Sequence, residues 1–400
     1  MGDRVCITGL GVVTALGHSP SELYRRLLAG ETAVRHLSAL GPSGLDVGPL
    51  APVSVDGFPN EDGQAILTAQ PRAGRLLGHC IHQALGQAGL LDPVGCATRR
   101  IGACLGTTLG EKTPWLAAVE KLHKNEGPVD IPLTGPALLA RQLAFVPQRL
   151  RVVSAACCSG NAALALALLW LRQEACEVVV CAGVDVLEPF VLGGFRALRA
   201  QSPQVCRPFD RRRSGTNLGE ASACVVLETQ QHARARKQPV LAFLAGAGLA
   251  RDANHMTGPD PTGSGACLAM RRAMVDAGLP PGAVDFVSSH GTGTPYNDLM
   301  EARALALLGA QGAPVQSIKG AIGHTLGASA LVEAVMSVSI LREGQIPPTA
   351  GLVEPDPQIA LDLVWNQPRA ARVQCVLSTS SGFGGENAAV VLVSAPGIEP

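Results

Sequence analysis

The stretch VVSAACCSG, residues 152–160, predicts a strand that ends in a sharp turn and is followed by a helix. Its first residues are apolar and β-branched, as in a buried strand, and the small residues after them favour a tight turn. Residues 161–173 are rich in Ala and Leu and predict an apolar helix. Cys157 would then face the positive end of the helix dipole, which favours the thiolate, the form that attacks a carbonyl. The alternative interpretation is an ordinary buried cysteine.

Strand-like and helical runs alternate on both sides of this turn, which is typical of α/β layers. The predicted strands cover residues 5–9, 101–105, 152–155, 178–183, 223–228, 240–249, 286–289, 376–379 and 388–393. The predicted helices cover residues 21–29, 74–89, 161–173, 266–277, 297–308 and 329–343. A polar stretch at 229–238 predicts a boundary between an N-terminal half, residues 1–235, and a C-terminal half, residues 236–400. A second small-residue turn before an apolar helix, at 323–328, is a hint of internal duplication.

The composition fits a large globular chain and argues against several functions. The chain has 400 residues, of which 47% are hydrophobic, and its 32 basic and 32 acidic side chains leave no net charge to attract nucleic acid. The 12 cysteines lack the paired spacing of a zinc site, and no glycine-rich motif has the spacing of a nucleotide site, so we expect neither metal nor cofactor. The most apolar run, residues 162–171, is about half of a membrane span. Free thiols then predict a cytoplasmic location.

Three further segments carry reactive or mobile side chains between glycines. They are SSHGTGTP at residues 288–295, SIKGAIGH at 317–324 and STSSGFGGEN at 378–387. His290 ends a predicted strand, Lys319 and His324 precede an apolar helix, and Phe383 lies between glycines, where it could move as a gate. Taken singly, each histidine is more often structural, the lysine more often a surface residue and the phenylalanine more often a buried turn residue.

In this order and at these separations, the four segments resemble the β-ketoacyl-acyl-carrier-protein (ACP) synthases, most closely the type II elongating synthases of the thiolase superfamily. The resemblance covers nearly the whole chain and includes ITGLGVV at residues 7–13, RPFD at 207–210 and HMT at 255–257. It implies a thiolase-like αβαβα sandwich with two duplicated halves. It also implies acyl carrier protein as a partner, and a homodimer or a heterodimer with a related ketosynthase-like subunit.

By this resemblance, the reaction is a decarboxylative Claisen condensation. Cys157 matches the nucleophile that takes the acyl chain from its carrier thioester. His290 and His324 match the histidine pair that promotes decarboxylation of malonyl-ACP and stabilises the enolate. The chemistry agrees, because loss of CO₂ creates the carbanion without a metal.

The remaining catalytic candidates are also implied by the resemblance. Lys319 matches a lysine beside the histidines, and Glu333 matches the carboxylate that pairs with it. Phe383 matches the gating aromatic, whose N–H joins that of Cys157 in the oxyanion hole.

Some residues depart from the family pattern near the expected acyl pocket. Ser381 stands where the family usually has a first Phe, Glu386 where it usually has Thr, and GTN at 215–217 where elongating synthases often have Gly-Phe-Val. These changes predict a wider, more polar cavity and leave fatty acid, polyketide and polyene pathways open. The candidate substrate-binding residues are Leu109, Glu111, Thr216, Asn217, Ser381, Thr292 and Thr294.

Carrier docking is expected at basic side chains, because carrier proteins are acidic. Arg72 and Arg75 match the family's docking helix, Arg199 matches a basic docking position, and the run 211–213 is a weaker candidate. Two alternative functions remain open. One is a priming or acyl-transfer enzyme of the same fold that uses acyl-CoA. The other is a non-enzymatic chain-length factor, against which the retained Cys157 argues.

Overall fold

An 11-stranded mixed sheet is the central feature of the fold. A computed structural model describes residues 4–37, 48–54, 71–92, 99–111, 120–121, 123–124, 136–143 and 145–395. The strands are β1 (Val5–Thr14), β2 (Arg35–His36), β3 (Pro49–Leu50), β4 (Ile101–Gly106), β5 (Arg149–Val153), β6 (Val178–Asp185), β7 (Ala221–Thr229), β8 (Ala242–Arg251), β9 (Phe286–Ser288), β10 (Pro314–Gln316), β11 (Gln345–Ile346), β12 (Asp362–Leu363), β13 (Arg369–Ala370), β14 (Cys375–Gly382) and β15 (Glu386–Ser394). The α-helices in this part of the chain are α1 (Pro20–Leu28), α2 (Arg72–Gln87), α3 (Pro136–Gln142), α4 (Ser159–Arg172), α5 (Pro189–Ala197), α6 (Gln230–Ala235), α7 (Ser264–Ala277), α8 (Pro295–Leu308), α9 (Lys319–Ile322) and α10 (Ser329–Glu343). Short 3₁₀ turns lie at Pro281–Ala283 and Leu326–Ala328.

Two halves of the sheet repeat the same strand order and pairing. The first half runs β5-β4-β6-β7-β1 and the second runs β10-β9-β14-β15-β8, with β12 added outside β10. In each half the first two pairs are parallel and the next two are antiparallel. The halves meet where Cys6 pairs with Phe243 and Ile7 with Ala242. This repetition confirms the predicted duplicated α/β architecture.

Helices lie between the two halves and on both outer sides, which produces five layers. The central helices α4 and α10 contact strands of both halves, while α2 covers the first half and α7 the second. Three buried apolar clusters fill the spaces between layers, and they include Val335 in the central cluster, Leu77 on the inner face of α2 and Met270 on the inner face of α7. Across the described ranges, every helix is too short or too polar to cross a membrane.

The element bounds differ from the sequence prediction mainly around short or glycine-containing segments. The strand predicted at 152–155 is Arg149–Val153 instead, because residues 154–156 already belong to the turn. Helix Pro189–Ala197 was not predicted, since two consecutive glycines inside it resemble a loop. The predicted boundary at 229–238 contains the helix Gln230–Ala235, and residue 235 is its last residue.

Candidate active site

Cys157 lies at the turn between β5 and α4, and its backbone is held in a specific conformation. Ala156 has φ +48°, a left-handed value that costs an alanine energy and that the surroundings must enforce. Part of that constraint is the hydrogen bond from Ala155 N–H to Ser159 Oγ, at 2.9 Å. A Cβ on Gly382 would come within 3.0 Å of Cys157 N, so the loop before Phe383 passes directly over the Cys157 amide.

Two histidines converge on the thiol from the C-terminal half. His324 Nε2 is 3.0 Å from Cys157 Sγ, and His324 Nδ1 is 3.1 Å from Ser329 Oγ, which orients the ring. The His290 ring lies perpendicular to the His324 ring, with centroids 5.3 Å apart. His290 follows β9, and its backbone N–H donates to Glu301 Oε1 at 2.7 Å. The structure therefore brings together the three side chains that the sequence analysis singled out.

Lys319 and Glu333 form a buried ion pair behind the histidines. Lys319 Nζ and Glu333 Oε1 are 2.5 Å apart, and each residue is 1% exposed. Burial raises the pKa of Glu333 to about 7, although the positive charge of Lys319 opposes this shift. Removing one partner of such a pair leaves an uncompensated buried charge, which typically costs about 3–5 kcal/mol.

Burial disfavours the charged forms of Cys157, His290 and His324. Burial, followed by the positive charge of Lys319, lowers the pKa of His290 and of His324 well below the usual value for histidine. Burial also raises the pKa of Cys157 to about 12, although Lys319 favours its thiolate. Desolvation therefore opposes the helix dipole, which by itself favours the thiolate, and it disfavours the charged forms of Cys157 and His324 alike.

A cleft of about 540 Å³, including its open mouth, leads to these groups. Phe383 lies beside it and packs against Phe195 with ring centroids 5.4 Å apart. Phe195 was missed by the sequence analysis, although an aromatic residue after two glycines is conspicuous in a chain with 3% aromatic residues. The cleft is lined by Cys157, Phe195, Ala200, Thr216, Thr257, Pro259, His290, Thr292, Thr294, Asn297, His324, Ser381, Gly382 and Phe383.

Four of the seven predicted substrate-binding residues line the cleft: Thr216, Thr292, Thr294 and Ser381. The other three have different surroundings. Leu109 packs on an apolar cluster with Leu192, Asn217 accepts from Cys206 N–H at 2.6 Å, and Glu111 accepts from Ala73 N–H at the start of α2 at 2.7 Å.

The predicted docking arginines differ in availability. Arg72 is paired with Glu220 at 2.5 Å, and Arg75 is only partly exposed. Arg199 is exposed and directly precedes Ala200, which lines the cleft. The run 211–213 forms the ion pairs Arg211–Glu354, Arg212–Glu354 and Arg213–Asp356.

The arrangement is suited to acyl transfer and to enolate chemistry. A buried thiol can accept an acyl group, and two neutral imidazoles can donate hydrogen bonds to a carbonyl oxygen that becomes negative. Within the described ranges, no cluster of three or more His, Cys, Asp or Glu side chains could hold a metal ion.

Comparisons with known proteins agree with this chemistry. Residues 2–233 match the family described as β-ketoacyl synthase, N-terminal domain, and residues 241–353 match the β-ketoacyl synthase, C-terminal domain. The chain is 32% identical to 3-oxoacyl-[acyl-carrier-protein] synthase 2 of Coxiella burnetii, over 97% of this chain and 98% of the relative. It is 34% identical to nodulation protein E of Rhizobium meliloti, with the same coverage of 97% and 98%. The structure is similar to the ishigamide ketosynthase/chain length factor, with a TM-score of 0.89, 29% identity, and coverage of 99% of this chain and 100% of that one.

Proposed function

Because this chain belongs to the β-ketoacyl synthase family, we propose that it condenses an acyl group held on Cys157 with malonyl-ACP and releases CO₂. The observation that carries the proposal is the convergence of one thiol and two neutral histidines at the end of a single cleft. The chain is accordingly an acyltransferase of the condensing type.

In the first half-reaction, Cys157 Sγ attacks the thioester carbon of acyl-ACP. The bond from that carbon to the carrier sulfur breaks, and the thiol proton moves to the departing carrier thiolate. His324 Nε2, 3.0 Å from Sγ, is the nearest base for relaying this proton. The tetrahedral oxyanion is stabilised by the backbone N–H groups of Cys157 and Phe383.

In the second half-reaction, malonyl-ACP occupies the cleft with its thioester oxygen near His290 and His324. The bond between the malonyl carboxylate and its neighbouring carbon breaks, CO₂ leaves, and the electron pair becomes an enolate. N–H groups of His290 and of His324, which in this step carries its proton on Nε2, stabilise the enolate. The enolate carbon then attacks the Cys157 thioester and releases the cysteine, which regains a proton from solvent. The product is the extended β-ketoacyl-ACP.

The stoichiometry of the reaction tests this proposal. Purified enzyme is incubated with a panel of acyl-ACPs and carboxyl-labelled malonyl-ACP, and CO₂ and ketoacyl-ACP are quantified. We expect equal amounts of both, dependent on the acyl-ACP. Acyl transfer without carbon–carbon bond formation, or a requirement for acyl-CoA, would instead support the priming or acyl-transfer alternative. If the chain is active only when a second ketosynthase-like subunit supplies the cysteine, the result would support the chain-length-factor alternative.

Ser381 is proposed to widen the acyl site. It lines the cleft close to Cys157, and its hydroxyl donates to Asn387 Oδ1 at 2.7 Å, so the polar group is satisfied without substrate. A serine leaves room that a phenylalanine would fill. We propose that this room accepts an acyl chain that is bulky, unsaturated or oxygenated near the thioester, in a fatty acid, polyketide or polyene pathway.

Ser381→Phe is expected to exclude such chains and to tolerate short saturated ones. Inserting a large side chain into an occupied site costs about 1–3 kcal/mol, which corresponds to roughly a 10- to 100-fold loss of kcat/KM for the bulky acyl-ACP. Ser381→Ala is the matched control, because it loses the bond to Asn387 but keeps the space. If Ser381→Phe leaves the preference among acyl-ACPs unchanged, the widened site is ruled out while the condensing activity stands.

We also propose the partners and location that the family implies. Among the strands that the structure describes, β5 is at one edge of the sheet, where a homodimer or a heterodimer with a related subunit could form. Light scattering would measure the mass of the assembly. The exposed Arg199 at the cleft is the favoured contact for acidic carrier protein. A cytoplasmic location stays a prediction.

A further inference from the structure

A fully buried carboxylate links the segments that carry the thiol and the histidine beside it. Asp185 ends β6 and is 1% exposed. Its oxygens accept hydrogen bonds from two separate segments of the chain, the loop after β4 and the turn after His324. The donors are Thr107 Oγ1 at 2.9 Å, Thr108 N at 2.9 Å, Thr108 Oγ1 at 2.6 Å, Leu109 N at 3.3 Å, Gly110 N at 3.2 Å and Gly327 N at 2.7 Å.

The loop that Asp185 holds is bonded to both ends of the nucleophile turn. Thr107 N–H donates to Val153 O at 3.2 Å, at the end of β5. On the other side of Cys157, the single hydroxyl proton of Ser159 is shared between Ala156 O at 2.6 Å and Thr107 O at 3.3 Å. A shift of the loop would therefore move the backbone that determines where the thiol points.

The second connection leads to His324. Gly327 N–H lies 2.7 Å from Asp185 Oδ2 and 3.0 Å from Thr108 Oγ1, three residues after the histidine. The contact is so close that a Cβ on Gly327 would be 2.8 Å from Asp185 Oδ2. Ser329, which orients the His324 ring, follows in the same turn.

We infer that Asp185 is a positioning residue that sets the distance between Cys157 Sγ and His324 Nε2 by tying the two turns to one carboxylate. The inference rests on the proposed roles of Cys157 and His324. Both oxygens are needed, because Oδ1 accepts from Thr107, Leu109 and Gly110 in the β4 loop, whereas Oδ2 accepts from Thr108 and from Gly327 N–H. An amide has only one acceptor oxygen, so it would turn an N–H group toward one of these two sets of donors and lose the bonds to that set.

Asp185→Asn tests the inference, with kcat, KM and the rate at which iodoacetamide alkylates Cys157 as readouts. We expect kcat for condensation to fall roughly 10- to 100-fold, as for a displacement of reacting groups, with little change in KM for acyl-ACP. Alkylation of the Cys157 peptide, followed by mass spectrometry, should fall as well. Asp185 raises the pKa of Cys157 through its charge, so a purely electrostatic role predicts the opposite, faster alkylation.

Glu228→Gln is the matched control for a general loss of stability. Glu228 is also fully buried and accepts from Arg236 and His232, but these contacts lie away from Cys157. We expect this variant to lower Tm. Its kcat and its alkylation rate should stay within about twofold of the wild-type values, because the contacts around Cys157 and His324 remain. The inference would be overturned if both variants lost kcat and alkylation rate equally at an equal loss of Tm. It would also be overturned if Asp185→Asn kept the wild-type rates.

Thr108 provides a milder pair of variants if Asp185→Asn does not fold. Thr108→Val removes the hydroxyl that bonds Asp185 and Gly327 but leaves the negative charge, and Thr108→Ser retains the hydroxyl. We expect slower alkylation and lower kcat in the valine variant and recovery in the serine variant. Because alkylation needs neither carrier nor condensation, it tests the position of the thiol even if the proposed reaction is wrong.

Discussion

Cys157→Ala is expected to lower condensation by about 10⁴-fold or more, as for other removed nucleophiles, and to leave decarboxylation of malonyl-ACP measurable. No acyl-enzyme can form without the thiol, whereas His290 and His324 still provide the donors for the enolate. Intact-mass measurement after incubation with acyl-ACP should show acyl addition for the wild type and none at this site for the variant. Release of labelled CO₂ from malonyl-ACP measures the surviving half-reaction.

Cys158→Ala is the matched control, because Cys158 cannot replace its neighbour. Its Sγ contacts Ser380 O at 3.2 Å and Glu386 O at 3.3 Å, whereas His324 Nε2 contacts Cys157 Sγ. We expect this variant to retain acyl addition. A Cys157→Ala enzyme that acquires the acyl group on the same peptide at the wild-type rate would show that another side chain is the nucleophile.

The strands and helices around the site were predictable where their side chains follow a clear period. The valine-rich strand Val178–Asp185 and the apolar helix Ser329–Glu343 were both recognised. The strand before Cys157 was placed too late in the chain, because its arginines obscure the apolar alternation and the turn begins with small residues. Local periodicity could not reveal that Ala156 takes a positive φ, since tertiary contacts impose it.

The direction of individual side chains was the less predictable part of the site. Thr216 lines the cleft while its neighbour Asn217 points into the protein and bonds the backbone of Cys206. Glu111 was expected at the acyl site, but its carboxylate bonds the start of α2. Proximity in sequence cannot distinguish these cases, because consecutive residues in an extended segment face opposite sides.

The charge state of the site was also beyond the sequence. A helix N-terminus predicts a thiolate, and only the three-dimensional structure reveals that Cys157, His290 and His324 are all buried around Lys319. The desolvation of each group then decides its protonation. A neutral imidazole pair is well suited to donate hydrogen bonds to an enolate, the charged species that a decarboxylative condensation without a metal must stabilise.

His290→Ala and His324→Ala are expected to lower decarboxylation and condensation by about 10²–10³-fold each, as for a lost oxyanion donor. The two variants should differ in the first half-reaction. His324 lies 3.0 Å from Cys157 Sγ, so its loss should also slow acylation, whereas His290→Ala should leave acylation near the wild-type rate. Single-turnover acylation by intact mass, and CO₂ release from malonyl-ACP, separate the two steps.

A conservative variant distinguishes hydrogen-bond donation from general disruption at His290. His290→Asn keeps a side-chain N–H of similar reach, and we expect it to recover part of the decarboxylation that His290→Ala loses. Thermal denaturation of both variants checks that they remain folded. If His290→Ala slows acylation but leaves decarboxylation at the wild-type rate and Tm unchanged, then His290 assists the attack of Cys157 rather than the formation of the enolate. The division of labour between the two histidines would then have to be reversed.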